Sequence, residues 1–103
     1  MGTRAFYRIP VMIKVTLRSN NNVYMGTLVN ISETGMLIRT DRMTSPGDSA
    51  VEVIIPLDNE RIQVSGRLVR TGNIRDYSHG IGVMVLNPPQ RYLDFLDRLL
   101  AVL

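Results

Sequence analysis

In "PVMIKVTLRS", residues 10 to 19, the apolar side chains fall on alternate positions. Val11, Ile13, Val15 and Leu17 occupy one face, and Met12, Lys14, Thr16 and Arg18 the other. A period of two belongs to a half-buried strand, because wrapping it on a helix would scatter the apolar set around the whole circumference. Comparable stretches follow at "VYMGTLVNI" (23–31), "MLIRT" (36–40), "AVEVIIP" (50–56), "RIQVSGRLVRT" (61–71) and "IGVMVL" (81–86). Between them stand "NNN", "SETG", "TSPGDS", "LDNE" and the longer "GNIRDYSHG". These are rich in Asn, Gly, Pro, Asp and Ser, the residues that turns select for backbone reasons, and the longest is read as a loop. Six short strands punctuated in this way predict a mainly β chain, a small antiparallel barrel or sandwich.

The period changes after "NPP", where proline can open a helix. In "QRYLDFLDRLLAVL", Tyr92, Phe95, Leu96, Leu99, Leu100 and Leu103 recur at helical spacing, with Arg91, Asp94, Asp97 and Arg98 largely opposite. This amphipathic helix is expected to cover an open end of the barrel; two heptads are too short to argue a coiled-coil seam. The expected organisation is a single domain over residues 1–103, with a flexible N-terminal arm at 1–9, a barrel at 10–87 and a helix at 89–103. No stretch has the length or apolarity of a membrane span or a secretory leader, so the expected setting is soluble and cytoplasmic, as monomer or homodimer.

Residues 1 to 18 carry Arg4, Arg8, Lys14 and Arg18 and no acid, a charge of +4 in a chain whose net charge is +3. Eleven of the twelve basic residues are arginine, which suits fork-like recognition of phosphate, carboxylate or a guanine edge. With no cysteine, disulfides, thiolate chemistry and the common zinc frameworks are excluded. The single histidine, His79, lies in the expected loop without a nucleophile elbow or a metal-ligand spacing around it. The carboxylates are scattered singly, which argues against a paired acid and base, and the chain is not expected to be an enzyme, to hold a metal or to need a cofactor.

Two motifs carry chemistry. "RAFYR" (4–8) spaces Arg4 and Arg8 four apart ahead of the first strand, and "NISETG" (30–35) places Asn30, Ser32 and Gly35 where one strand ends and the next begins. Each has a plain structural reading, as a solvated basic tail and as an inter-strand turn. Together, in this order and one hairpin apart, they resemble the signature of the PilZ domain family, Arg-x-x-x-Arg followed by Asp or Asn-x-Ser-x-x-Gly. "HGIGVMVL" is similar to that family's late Gly-rich strand.

The resemblance implies a six-stranded antiparallel β-barrel with a C-terminal helix and a binding function for the bacterial second messenger cyclic di-GMP. It implies that Arg4 and Arg8 fold over the ligand, that Asn30 and Ser32 hold it from the barrel surface, and that Gly35 keeps the turn open to close approach. Tyr77 and His79 are the candidates for stacking on a base. Thr3 stands where many relatives carry another basic residue, which leaves one or two ligand molecules per domain open. The output implied is an ordering of the arm on binding that changes the surface shown to a downstream protein. Two alternatives stay open: a PilZ-fold interaction module that does not take the dinucleotide, and a small nucleic-acid-binding barrel. The latter is disfavoured because Phe6, Tyr7, Tyr24, Tyr77, Tyr92 and Phe95 are all the aromatics available for stacking.

Overall fold

The computed structural model describes residues 8–19, 22–40, 50–74 and 77–102, with the backbone alone for residues 70–74 and 77–79. Six strands, β1 (Ile9–Ser19), β2 (Asn22–Ile31), β3 (Gly35–Arg39), β4 (Ala50–Pro56), β5 (Arg61–Ile74) and β6 (Tyr77–Val85), precede one helix, α1 (Gln90–Ala101). The strands close into a barrel in the order β1-β2-β3-β6-β5-β4, every neighbouring pair antiparallel. The β1–β4 pairing, Thr16 opposite Ile54 through Arg18 opposite Glu52, closes the ring.

The alternation expected from the sequence sets what faces in. Val15 and Leu17 from β1, Leu28 from β2, Ile38 from β3, Val53 and Ile55 from β4 and Val64 from β5 are completely buried, whereas Met12 on the opposite face of β1 is exposed. Most of these core residues are β-branched, the side chains that a pleated surface packs best. Gly66 lets β5 and β6 approach closely: a Cβ there would stand 2.4 Å from Val83 Cγ1 and 2.9 Å from the Met84 carbonyl oxygen.

The helix begins after a turn in which Asn87 takes a left-handed φ of 46°, a conformation asparagine tolerates better than most residues. Tyr92, Phe95 and Leu96 enter the same apolar cluster as the strands, and Leu99 and Leu100 pack against its margin. Its neighbours, the β2–β3 turn and the β4–β5 turn, lie at one end of the barrel, and α1 covers that end. The turn at 57–60 is closed by the Leu57 amide donating to the Glu60 carbonyl at 2.7 Å, and Arg91 on the exposed face of α1 pairs with Glu60.

One expectation is corrected. The described residues of 72–80 are strand rather than loop. β5 continues to Ile74 and β6 starts at Tyr77, with Gly72 opposite Gly80 and Ile74 opposite Tyr77. Gly, Asn and Asp favour turns locally, yet a two-stranded ribbon is held by its backbone ladder and needs no apolar face, so pairing runs on past the barrel wall. Tyr77 and His79 are therefore strand residues. The turns read at Asn20 and Asn21 and at 44–49 lie outside the described residues.

Candidate ligand site at the helix-covered rim

The turn between β2 and β3 is built around Ser32. Its hydroxyl oxygen accepts from the amides of Thr34 (3.3 Å) and Gly35 (3.2 Å), and its own amide donates to the Gly35 carbonyl at 2.8 Å. This is the serine turn that such residues form with their own backbone. Neighbouring elements hold it as well. The Val85 amide at the end of β6 donates to the Thr34 carbonyl at 2.9 Å, and the Tyr92 phenol of α1 donates to the Ser32 carbonyl at 2.6 Å inside the core. Burial, reinforced by the charge of Glu33, pushes the Tyr92 phenol well above its ordinary value of 10.0.

Asn30 is aimed differently from Ser32. The β2–β3 register shifts between Leu28 and Asn30, and a shift of this kind redirects the side chain beside it. Its Oδ1 accepts a hydrogen bond from Arg8 Nη1 at 3.0 Å across an exposed gap. Gly35, opposite Met84 of β6, lies beneath the same arginine: a Cβ there would sit 3.2 Å from the Val83 carbonyl oxygen and 4.0 Å from Arg8 Nη2. Gly35 does not adopt a left-handed φ, so what glycine supplies here is space beside β6 and under a guanidinium, not an unusual backbone angle. A hollow of about 270 Å³ borders Arg8 and runs along the outer wall past Leu37, Val69 and Gly82.

Arg8, Asn30 and Gly35 thus meet on one patch of the rim, and Ser32 stands directly behind them. Ser32 is only 2% exposed, and its hydroxyl is engaged with its own turn. Arg4 lies outside the described residues. Tyr77 and His79 are near the other end of β6; His79 is five residues from Met84, the partner of Gly35, or about 17 Å of extended strand. Among the described residues no group of three or more His, Cys, Asp or Glu side chains could hold a metal ion, and no helix is long and apolar enough to cross a membrane.

The PilZ domain family model matches residues 2–101. The chain belongs to the PilZ domain family. The crystal structure of the PilZ domain of CeSA from a cellulose-synthesizing bacterium is similar in fold, with a TM-score of 0.64 at 22% identity over 90% of this chain and 93% of that one. The structure of the Bacillus subtilis inhibitor of motility, MotI/DgrA, aligns with a TM-score of 0.67 at 15% identity, over 88% of this chain but 48% of that one. No curated protein matches the chain in sequence. PilZ domains are binding and regulatory domains, a class associated with cyclic di-GMP, and some members do not bind it.

Within this PilZ barrel, the part of the site that sequence reasoning missed is Tyr92. It was legible only as one apolar position of a helix face, although a phenol among leucines and phenylalanine on a buried face needs a hydrogen-bond partner, and that requirement was the available signal. The same bond links α1 to the motif turn.

Proposed function

We propose that this PilZ domain is a cytoplasmic receptor for cyclic di-GMP, with Arg8 and Asn30 touching the ligand, Arg4 completing the arginine grip, and Ser32 and Gly35 shaping the turn that receives it. The observation that carries the reading is the Arg8 guanidinium held 3.0 Å from Asn30 Oδ1 and above Gly35. One N–H is used there, and an arginine has five, fixed in a planar fork. Cyclic di-GMP offers matching acceptors, with two phosphodiester anions and the O6 and N7 atoms of each guanine. Asn30 adds an amide donor and acceptor at the same patch. The signal is a change in residues 1–9 as Arg4 and Arg8 close on the ligand, which alters the surface offered to a downstream protein.

Calorimetric titration of the protein with cyclic di-GMP, beside Arg8→Ala and a linear GMP control, tests this. Saturable binding by the wild type, weakened at least about 30-fold by Arg8→Ala, is the expected result for loss of a charge-assisted fork. Absence of heat with folded protein at high ligand concentration would refute the receptor reading. Amide exchange of residues 3 to 10 that is equally fast with and without bound ligand would refute the proposed signal.

A further inference from the structure

The charges of this barrel are segregated. β1, β2 and β3 contain no Asp or Glu, and their cations are Lys14, Arg18 and Arg39. Asp58, Glu60, Asp94 and Asp97 belong instead to the β4–β5 turn and to α1, at the helix-covered end. Register brings two of the cations to one row. Lys14 is opposite Thr27 and Thr27 is opposite Arg39, so a lysine and an arginine flank one threonine across three strands, at a hollow of about 300 Å³. Arg18, farther along β1, pairs with Glu52 of β4 at 3.2 Å. The same hairpin carries apolar side chains at outward positions that alternation assigns to polar residues. Met12 is 69% exposed, Val23 64% and Met25 60%, on the face that also holds Lys14, Thr16 and Thr27.

We propose that the β1–β2–β3 wall docks on an anionic lipid surface. The negative potential of such a surface draws lysine and arginine, and their long stems keep the charges among the headgroups while neighbouring apolar side chains enter the acyl boundary. Shape favours a bilayer over an acidic protein. The outside of a closed barrel is convex, and Met12, Val23 and Met25 project from it. A protein partner has to offer a matched pocket for each projecting side chain, whereas lipid yields around them. None of these residues belongs to the motif turn or to the arginine pair, so docking needs no dinucleotide.

Co-sedimentation of the full chain with vesicles of phosphatidylcholine and phosphatidylglycerol, beside vesicles of phosphatidylcholine alone, tests this. Saturable uptake by the anionic vesicles only, falling as salt is raised, is expected. A cation near an anionic bilayer contributes about fivefold in affinity, so Lys14→Gln combined with Arg39→Gln should weaken uptake about 25-fold. Arg91→Gln combined with Arg98→Gln removes the same charge from α1 and should change uptake by less than about threefold. Melting temperatures confirm that both pairs fold. Because the chain has no tryptophan, Met12→Trp supplies a single indole, whose emission should shift to the blue on anionic vesicles as it leaves water. Equal weakening by the two charge pairs would reduce the effect to net charge, and unmoved indole emission in sedimented protein would mean that the wall does not enter the bilayer; either overturns the proposal. No uptake by folded wild type overturns it as well, and binding of soluble polyglutamate in that case would assign the wall to an acidic protein.

Discussion

Ser32→Ala separates a residue that touches a ligand from one that shapes the place where it binds. Ser32 is 2% exposed, and its hydroxyl accepts from two amides, those of Thr34 and Gly35, at 3.3 and 3.2 Å. Alanine leaves both N–H groups without that acceptor in a turn already enclosed by β6 and α1. Both bonds are long, so each is weighted near the lower end of the penalty for an unsatisfied buried group, giving about 2 kcal/mol in all. The entropy of unfolding scales with length, and for a chain of 103 residues it is about 0.2 kcal/mol/K near 60 °C, so the melting temperature should drop by about 10 °C. Differential scanning calorimetry of wild type and Ser32→Ala measures this, and circular dichroism confirms that the variant still folds. A melting temperature within about 2 °C of wild type, combined with lost cyclic di-GMP binding, would show that the hydroxyl serves the ligand rather than the turn, and the reasoning above would be wrong.

Three further outcomes follow from the same geometry. Because the Tyr92 phenol is raised above 10.0 in the folded protein, the unfolded chain releases that proton first; the contribution is complete below pH 10 and declines as pH rises beyond it, by about 1.4 kcal/mol per pH unit. Tyr92→Phe should be less stable at pH 7 by about 1–3 kcal/mol through loss of the bond to Ser32, yet its stability should fall less steeply above pH 10 in urea titrations; parallel pH profiles would contradict this. Gly66→Ala places a Cβ 2.4 Å from Val83 Cγ1 and 2.9 Å from a backbone oxygen, and should destabilise by at least about 2 kcal/mol, read as the urea midpoint; a neutral result would mean β5 and β6 separate easily. Among the described residues Asn30→Ala breaks only an exposed bond to Arg8, so its melting temperature should stay within about 3 °C of wild type while cyclic di-GMP affinity drops; a larger loss of stability would make Asn30 a structural residue first.

The alternation of β1 was enough to place Val15 and Leu17 inside and Met12 outside, because side-chain period and barrel curvature follow from local backbone geometry. The motif residues Arg8, Asn30 and Gly35 stood out through the family resemblance rather than through periodicity, and they come together because a hairpin of about twenty residues returns the end of β2 to the start of β1; Pro10 opposite Asn30 shows the return. What could not be read were features set by contact between distant segments. The inward turn of the Ser32 hydroxyl depends on how three consecutive amides curl. The Tyr92–Ser32 bond spans sixty residues, and the emergence of Val69 depends on a bulge that arises only when β5 is paired with β6. The extension of that hairpin through Gly72 and Gly80 was hidden for the opposite reason: local turn preference is visible in a sequence, and ladder pairing is not.

How the turn is held bears on where a signal can arise. A ligand shifts an equilibrium only through contacts that differ between two states. In the turn, the Ser32 hydroxyl, the carbonyls of Ser32, Thr34 and Gly35 and the amides of Ser32, Thr34 and Gly35 already have partners, drawn from the turn itself, β6 and α1. A site so completely bonded has little ordering left to undergo on binding, which favours affinity rather than movement. The Arg8–Asn30 bond is the opposite case, since it is exposed and links a side chain at the entrance of β1 to the barrel across 3.0 Å. A ligand competing for that guanidinium would change the start of β1 before it changed the barrel. On the receptor reading, the response therefore belongs to the chain that carries Arg4 and Arg8, and the rigid turn is the fixed surface against which those arginines close.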